Sequence, residues 1–92
     1  MKQPDISNEI LEINTLEYIA KHDYFKARHI GRYILLKISG IGIKHPDYYT
    51  FLTSLSHRLG HYLKKLVEQN VIENFSKSRA GFVYKKITEK EG

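Results

Sequence analysis

The segment LVEQNVIENFSKSRAGFVYKKI, residues 66–87, decides the fold because it ends a helix and then supplies two strands joined by a turn. The runs 71–75 and 82–87 are rich in β-branched and aromatic residues, whereas the stretch between them holds Ser, Lys, Arg and Gly. Asn70 stands where a helix ends, and asparagine tolerates the left-handed backbone conformation common there. The segment therefore predicts a helix end followed by an antiparallel hairpin with a cationic tip.

Upstream, apolar residues that recur at steps of three and four predict a first helix over residues 8–21. Ser7 or Asn8 can cap this helix, and its acidic side chains suit the positive end of the helix dipole. Its apolar positions are Ile10, Ile13, Leu16, Ile19 and Ala20. The aromatic stretch 24–26 is too short for a helix and predicts a brief strand or a turn.

A second helix is predicted over residues 27–37, with apolar residues on its inner face and cations on its outer face. The inner residues are Ile30, Ile34 and Leu35, and the outer cations are Arg28, Arg32 and Lys37. The stretch 38–47 contains two glycines and a proline, which interrupt helices, so it is predicted to be a loop. We expect Ile38, Ile41 and Ile43 to hold this loop against the core.

The third and longest helix is predicted over residues 48–69, with Asp47 as its cap. Its apolar positions form the inner face, namely Leu52, Leu55, Leu59, Leu63, Leu66 and Val67. The same periodicity leaves a polar outer face of Thr50, Thr53, Ser54, His57, Arg58, His61, Lys64 and Lys65. Gly60 interrupts this helix at a cost of up to about 1 kcal/mol relative to alanine. Gly60 could let the helix backbone approach DNA or a neighbouring helix closely, or it could mark a bend; of these we favour close packing.

Length and composition limit the class of protein. The 92 residues suffice for one domain, whose core is expected over about residues 8–87 with both ends frayed. No apolar run approaches the roughly 18 residues of a membrane span, and the N-terminus lacks the apolar core of a signal peptide. The chain has no cysteine for disulfides. We therefore expect a cytoplasmic protein that does not bind membranes and needs neither a cofactor nor a small-molecule ligand.

Charge is distributed unevenly along the chain. Residues 1–24 contain two Lys or Arg against five Asp or Glu, a balance of −3, whereas residues 25–92 contain thirteen against five, a balance of +8. A basic region of this kind favours a polyanionic partner, with nucleic acid ahead of an anionic membrane surface. An inert basic surface that only promotes solubility is the alternative interpretation.

The pair His57 and His61, four residues apart on one helix face, could also suggest zinc. A zinc protease needs a glutamate directly after the first histidine, but Arg58 stands there, and a cation beside a metal ion is unfavourable. A structural site would need two further ligands from other histidines or acids. Ser54 or Ser56 beside His57 forms no triad, because no acid is placed to orient the imidazole. We therefore predict neither a metal site nor an enzyme.

The predicted order of helix, short strand, helix, loop, long helix and hairpin resembles that of winged helix-turn-helix DNA-binding proteins. Within residues 66–87, the similarity to that family's third helix and wing lies in the leucine-rich helix end, Asn70, Ile72, the basic tip 77–79 and the aromatic strand 82–84. LEYIAKHDYFKARHIGRYI resembles its first helix, short strand and second helix. The resemblance covers about residues 10–87. It is greatest to small regulators of archaea and archaeal viruses.

This resemblance implies an α+β fold, a winged helix-turn-helix with three helices followed by a two-stranded β-hairpin wing. It also implies that the third helix enters the major groove of double-stranded DNA. Base-reading residues would be Thr50, Thr53, Ser54, His57, Arg58 and His61, with Arg58 best suited to a bidentate contact with guanine. Phosphate and wing contacts would come from Arg28, Arg32, Lys64, Lys65, Lys77, Ser78 and Arg79. One departure from the family is the 38–47 link, which is longer than a helix-turn-helix turn of three or four residues.

The function implied is that of a sequence-specific transcriptional regulator associated with the nucleoid. A homodimer is expected, because two half-sites lie about one helical turn apart, and its interface would fall to Ile6 and Leu11 beside or within the first helix. Winged-helix domains also bind proteins, so an interaction module for an acidic partner is one alternative. A non-specific architectural nucleoid protein is another.

Overall fold

The computed structural model describes residues 5–79 and 81–87, except for the side chain of Ser78. Within this part of the chain the elements are α1 Asn8–Lys21, β1 Tyr24–Phe25, α2 Ala27–Ser39, α3 Tyr48–Glu68, β2 Ile72–Ser78 and β3 Gly81–Lys86. The fold is therefore a small α+β arrangement of three helices and a three-stranded antiparallel sheet. Of the two chain ends predicted to fray, residues 1–4 and 88–92 lie outside the described ones, whereas Ile6 is 6% exposed and belongs to the core.

The helix bounds agree with the sequence prediction to within two residues. At the start of α1, the Ser7 Oγ accepts a hydrogen bond from the Ile10 N–H at 3.2 Å, so Ser7 is the cap. α2 continues to Ser39 and ends at Gly40, whose φ of 65° is left-handed. Beyond the end of α3, Asn70 adopts a φ of 60°, which confirms the predicted left-handed asparagine.

Asp47 precedes α3 but does not cap it with its side chain, so that part of the prediction is wrong. Its Oδ2 atom is buried without a hydrogen-bond partner among the residues described. The ring of His45 turns back toward this corner, and its Nδ1 accepts a hydrogen bond from the Asp47 backbone N–H at 3.0 Å. The corner before α3 is therefore organised by His45.

The core lies between α2, α3 and the inner face of the sheet. Ile30 and Ile34 of α2, and Leu52 and Leu59 of α3, are all 0% exposed. The two helices approach closely at Gly31, where a Cβ atom would lie 2.9 Å from the Leu52 Cδ1. A side chain at this position would force buried neighbours to move, so glycine here is a requirement of helix packing.

α1 buries a different stripe from the one that its apolar periodicity suggested. Leu11 and Ile19 face the core together with Thr15, whose Oγ1 donates to the Leu11 carbonyl oxygen at 2.7 Å. Ile13 and Leu16 instead remain 51% and 45% exposed. The polar Thr15 is accommodated because its hydroxyl is satisfied within the helix.

Two predictions about apolar residues are therefore wrong. Ile6 and Leu11, expected to be spare for a dimer interface, are 6% and 2% exposed and belong to the core. Ile38 and Ile43, expected to hold the loop, are 39% and 60% exposed, and only Ile41 packs partly against the core. The physical reason for Ile38 is that α2 extends to Ser39 and carries this residue on its last turn.

The sheet has the order β1-β3-β2, because the short strand β1 pairs with β3 and places Phe25 opposite Tyr84. Of the two alternatives predicted for residues 24–26, the structure has the brief strand, and its pairing with the hairpin gives a three-stranded sheet. The hairpin strands also run further than expected, since β2 reaches Ser78 and β3 begins at Gly81. The register shifts between Asn74 and Ser76, which leaves Phe75 as the extra residue of a β-bulge.

Candidate nucleic-acid interface

The outer face of α3 is polar along its length. A helix turns about 100° per residue, so residues at steps of three and four from Thr50 lie opposite the buried leucines. The exposed members of the predicted outer face are Thr50, Thr53, His57, His61, Lys64 and Lys65, and Ser54 is partly buried. The structure therefore brings these predicted residues together on one surface of hydrogen-bonding and cationic groups.

Arg58 lies on the flank of α3, so its predicted place on the outer face is wrong. Its Nη2 donates to the Ile6 carbonyl oxygen and to the Asn8 Oδ1, both at 2.8 Å. Position 58 follows the buried Phe51 and Leu55 at steps of seven and three, which turns it toward α1. Arg58 therefore holds the start of α1 against α3, and a contact with guanine would require these hydrogen bonds to break.

His57 and His61 do lie side by side on the outer face. Their ring centroids are 4.9 Å apart and their planes are nearly perpendicular, at 86°. Within residues 5–79 and 81–87, no group of three or more His, Asp or Glu side chains could hold a metal ion. The pair offers two neighbouring imidazoles as hydrogen-bonding groups.

The N-terminal end of α3 is flanked by cations of α2. The Arg28 guanidinium lies over the Tyr49 ring, with Cζ 5.8 Å from the ring centroid. Arg32 donates from Nε to the Tyr48 hydroxyl at 3.2 Å, which ties this cation to a buried tyrosine of α3. Of the two arginines, Arg28 lies beside the exposed start of the outer face.

The electrostatics of α2 agree with a basic surface. Burial lowers the pKa of His29, and the positive charges of Lys26 and Arg32 lower it further. A neutral imidazole is favoured at this position because its neighbours are cations. By contrast, α1 carries the carboxylate of Glu17, which pairs with Lys37 at 2.6 Å.

A groove of ≈ 470 Å³ separates α3 from the hairpin; this feature, the α3–hairpin groove, was not predicted from the sequence. It is lined by Gly60, Lys64, Val67 and Glu68 of α3, and by Asn74, Phe82 and Tyr84 of the sheet. Phe82 is 45% exposed, and the Lys77 Nζ lies 5.5 Å from its ring centroid. A second hollow shares Phe82 and Tyr84 and continues toward Lys26 and Arg28.

Gly60 is on the α3 side of this groove. A Cβ atom built there would meet no atom of the described structure within 4 Å, other than its own helix backbone and adjacent residues. The expectation that a neighbouring helix packs closely on Gly60 is therefore wrong. Space above Gly60 remains for another molecule.

The hairpin tip carries two of the predicted cations. Lys77 is exposed on β2, paired in register with Phe82, and Arg79 is exposed in the turn. Ser78 pairs with Gly81, but its side chain is not among those described. The pairing of Lys77 with Phe82 was not predicted, because the sequence placed residue 77 in the turn. The structure has a shorter turn, so Lys77 belongs to β2.

No helix in the described part of the chain is both long and apolar enough to cross a membrane. Comparison with protein-family models, with curated proteins and with solved structures finds no match.

Proposed function

We propose that this protein is a sequence-specific double-stranded DNA-binding protein of the winged-helix type and a transcriptional regulator. α3 would lie in the major groove, and the β2–β3 hairpin would act as the wing on the backbone or the adjacent groove. The observation that carries the proposal is the outer face of α3, a solvent-facing row of hydrogen-bonding side chains with cations at both ends. The major groove admits an α-helix and presents donors and acceptors to such side chains.

The base-reading set is proposed to be Thr50, Thr53, Ser54, His57 and His61, without Arg58. Phosphate contacts are proposed for Arg28, Lys64, Lys65, Lys77 and Arg79. About five phosphate contacts would reduce affinity by between two and three powers of ten between 50 and 200 mM salt. Strong salt dependence is therefore the first property expected of DNA binding.

A homodimer remains part of the proposal, with its interface on α1. Since Ile6 and Leu11 are buried, the apolar side chains available on α1 are Ile13 and Leu16. The substitution Leu16→Glu should then shift a concentration-dependent dimer to monomer in sedimentation. The change Leu36→Glu is a matched control, because Leu36 is 63% exposed and lies on another helix. A wild-type chain that is monomeric on and off DNA would contradict the dimer.

The test of DNA binding compares two triple variants with the same change in charge. Lys64→Gln, Lys65→Gln and Arg79→Gln remove cations from the proposed interface. Lys21→Gln, Lys44→Gln and Lys85→Gln remove cations from other surfaces. Each lost phosphate contact should lower the slope of log affinity against log salt by about 0.9, so the first variant should lose most affinity at low salt and less as salt rises. Absence of duplex binding by the wild type at low salt would reject the proposal.

A second candidate is a winged-helix module that binds another protein, favoured by the exposed Ile13 and Leu16 of α1. It predicts no shift of any duplex at low salt. A non-specific architectural protein would instead bind random and genomic duplexes equally. Selection of bound sites from a random DNA pool distinguishes it from a regulator, because only a regulator enriches a defined sequence.

A further inference from the structure

We infer that Gly60 is the position where the sugar–phosphate backbone of DNA makes its closest approach to α3, inside the α3–hairpin groove. This inference rests on the proposed DNA binding and adds to it a residue that carries no side chain. Gly60 would determine how closely the helix and the hairpin approach the DNA backbone. Its contribution to affinity would therefore be the same for every DNA sequence.

Gly60 weakens α3 without serving the packing of the described fold. Gly60 lies well inside a 21-residue helix, where glycine is the least favourable residue after proline. The chain contains a second helical glycine, Gly31, whose missing side chain admits Leu52. At Gly60 the described structure places no such neighbour within 4 Å. Close approach within the fold therefore explains Gly31 and leaves Gly60 without a partner inside the described chain.

The walls of the groove carry both cationic and apolar side chains. Lys64 lies one turn beyond Gly60, about 6 Å along the helix axis, and can pair with a phosphate. Phe82 on the opposite wall offers a half-exposed ring to the apolar side of a deoxyribose. Lys77 beside that ring adds a second cation at the rim of the groove. A sugar–phosphate unit presents an anionic and an apolar part together, and these walls match both.

The two ends of the groove differ in charge, and this difference favours one of them for a phosphate. Glu68 lines the groove two turns beyond Gly60, about 12 Å along the axis, and its carboxylate repels an anion. Lys64 lies between the two positions. The phosphate is therefore favoured near Gly60 and Lys64, where the floor is bare helix backbone.

The decisive variant is Gly60→Ala, whose effects on stability and on binding have opposite signs. A methyl group would meet no atom of the described residues within 4 Å beyond its own helix backbone and adjacent residues, so better helix propensity should raise the melting temperature by about 4–8 °C. The same methyl group would occupy the floor of the groove, and DNA affinity should fall about tenfold. The loss should be equal for a selected site and for a random duplex, because the contact is with the backbone.

Two further variants complete the test. Gly42→Ala adds a methyl group at another glycine with open space, outside the groove, and should leave affinity unchanged. Glu68→Gln removes the repelling carboxylate and should raise affinity about twofold to threefold. Binding is measured by fluorescence anisotropy at a temperature where circular dichroism shows each variant folded.

The outcomes separate the inference from the proposed function. If the wild type binds no duplex, DNA binding itself is rejected, and the inference with it. If the wild type binds and Gly60→Ala binds equally well, only the assignment of Gly60 is overturned. A loss confined to the selected site would also overturn it, because that pattern belongs to base reading.

Discussion

The two glycines of α2 and α3 show how the same residue serves different regions of one small fold. Around Gly31 the space is filled by the fold itself, because a Cβ atom would lie 2.9 Å from Leu52 and 3.4 Å from the Ser56 Oγ. Around Gly60 the space is open. The close approach of α2 to α3 therefore uses the space that Gly31 leaves, whereas the described fold makes no such use of Gly60.

The same substitution at both positions gives the largest expected contrast. Gly31→Val should destabilise the fold by about 3 kcal/mol, because it overfills the contact of α2 with Leu52. Gly60→Val should raise stability slightly, by about 0.4 kcal/mol, because valine is a better helix former than glycine and its Cβ atom meets no atom of the described structure within 4 Å beyond its own helix backbone and adjacent residues. Urea unfolding of the two variants measures both effects. Equal destabilisation would show that the two glycines do not differ as described.

A second pair of substitutions compares a residue on the flank of α3 with one on its outer face, in stability and in duplex binding. Arg58→Met removes two hydrogen bonds and leaves the Ile6 carbonyl without its donor, so stability should fall by about 2 kcal/mol. His57→Ala, on the exposed face, should change stability by less than about 0.5 kcal/mol but weaken duplex binding. Thermal melts and anisotropy titrations measure the two properties separately. A stable Arg58→Met protein with altered base preference would return Arg58 to the reading surface.

The smallest expected effect is the pH dependence contributed by His29. Its folded-state pKa lies below the ordinary 6.5, mainly because of burial, so the unfolded chain takes up this proton first as pH falls. The protein therefore loses stability as pH drops through about 6.5, where the imidazole of the unfolded chain gains its proton. The loss stops once pH is below the folded-state pKa. The His29 side chain is largely exposed, so solvent screening keeps this effect below those of the other variants. His29→Gln should reduce the difference between melts at pH 7.5 and pH 5.5; an unchanged difference would contradict this assignment.

The helices could be predicted from the sequence because an amphipathic pattern repeats over several turns. All three were placed within two residues, and the left-handed Asn70 followed from its position after a leucine-rich run. The strand Tyr24–Phe25 is only two residues long, too short for a pattern of its own. A brief strand or a turn was expected there, but the pairing with β3 depends on residues about sixty positions later and could not be predicted.

The candidate site was predicted in part. Periodicity alone located the outer residues of α3, since they are those left after the leucines are buried. Arg58 was misplaced because its partners, Ile6 and Asn8, lie about fifty residues away, and no local pattern reveals such a contact. The groove lined by Gly60 and Phe82 was also missed, because it exists only when the hairpin folds beside α3.

The bulge at Phe75 has a consequence for how molecules of this protein meet one another. β1 and β2 are the two edges of the described sheet, and an open edge can pair with a strand of another molecule. β1 offers only two residues, and the bulge at Phe75 interrupts the regular ladder of β2. Neither edge is a long flat template, so the sheet is protected against edge-to-edge aggregation even though it exposes aromatic rings at Tyr24 and Phe75.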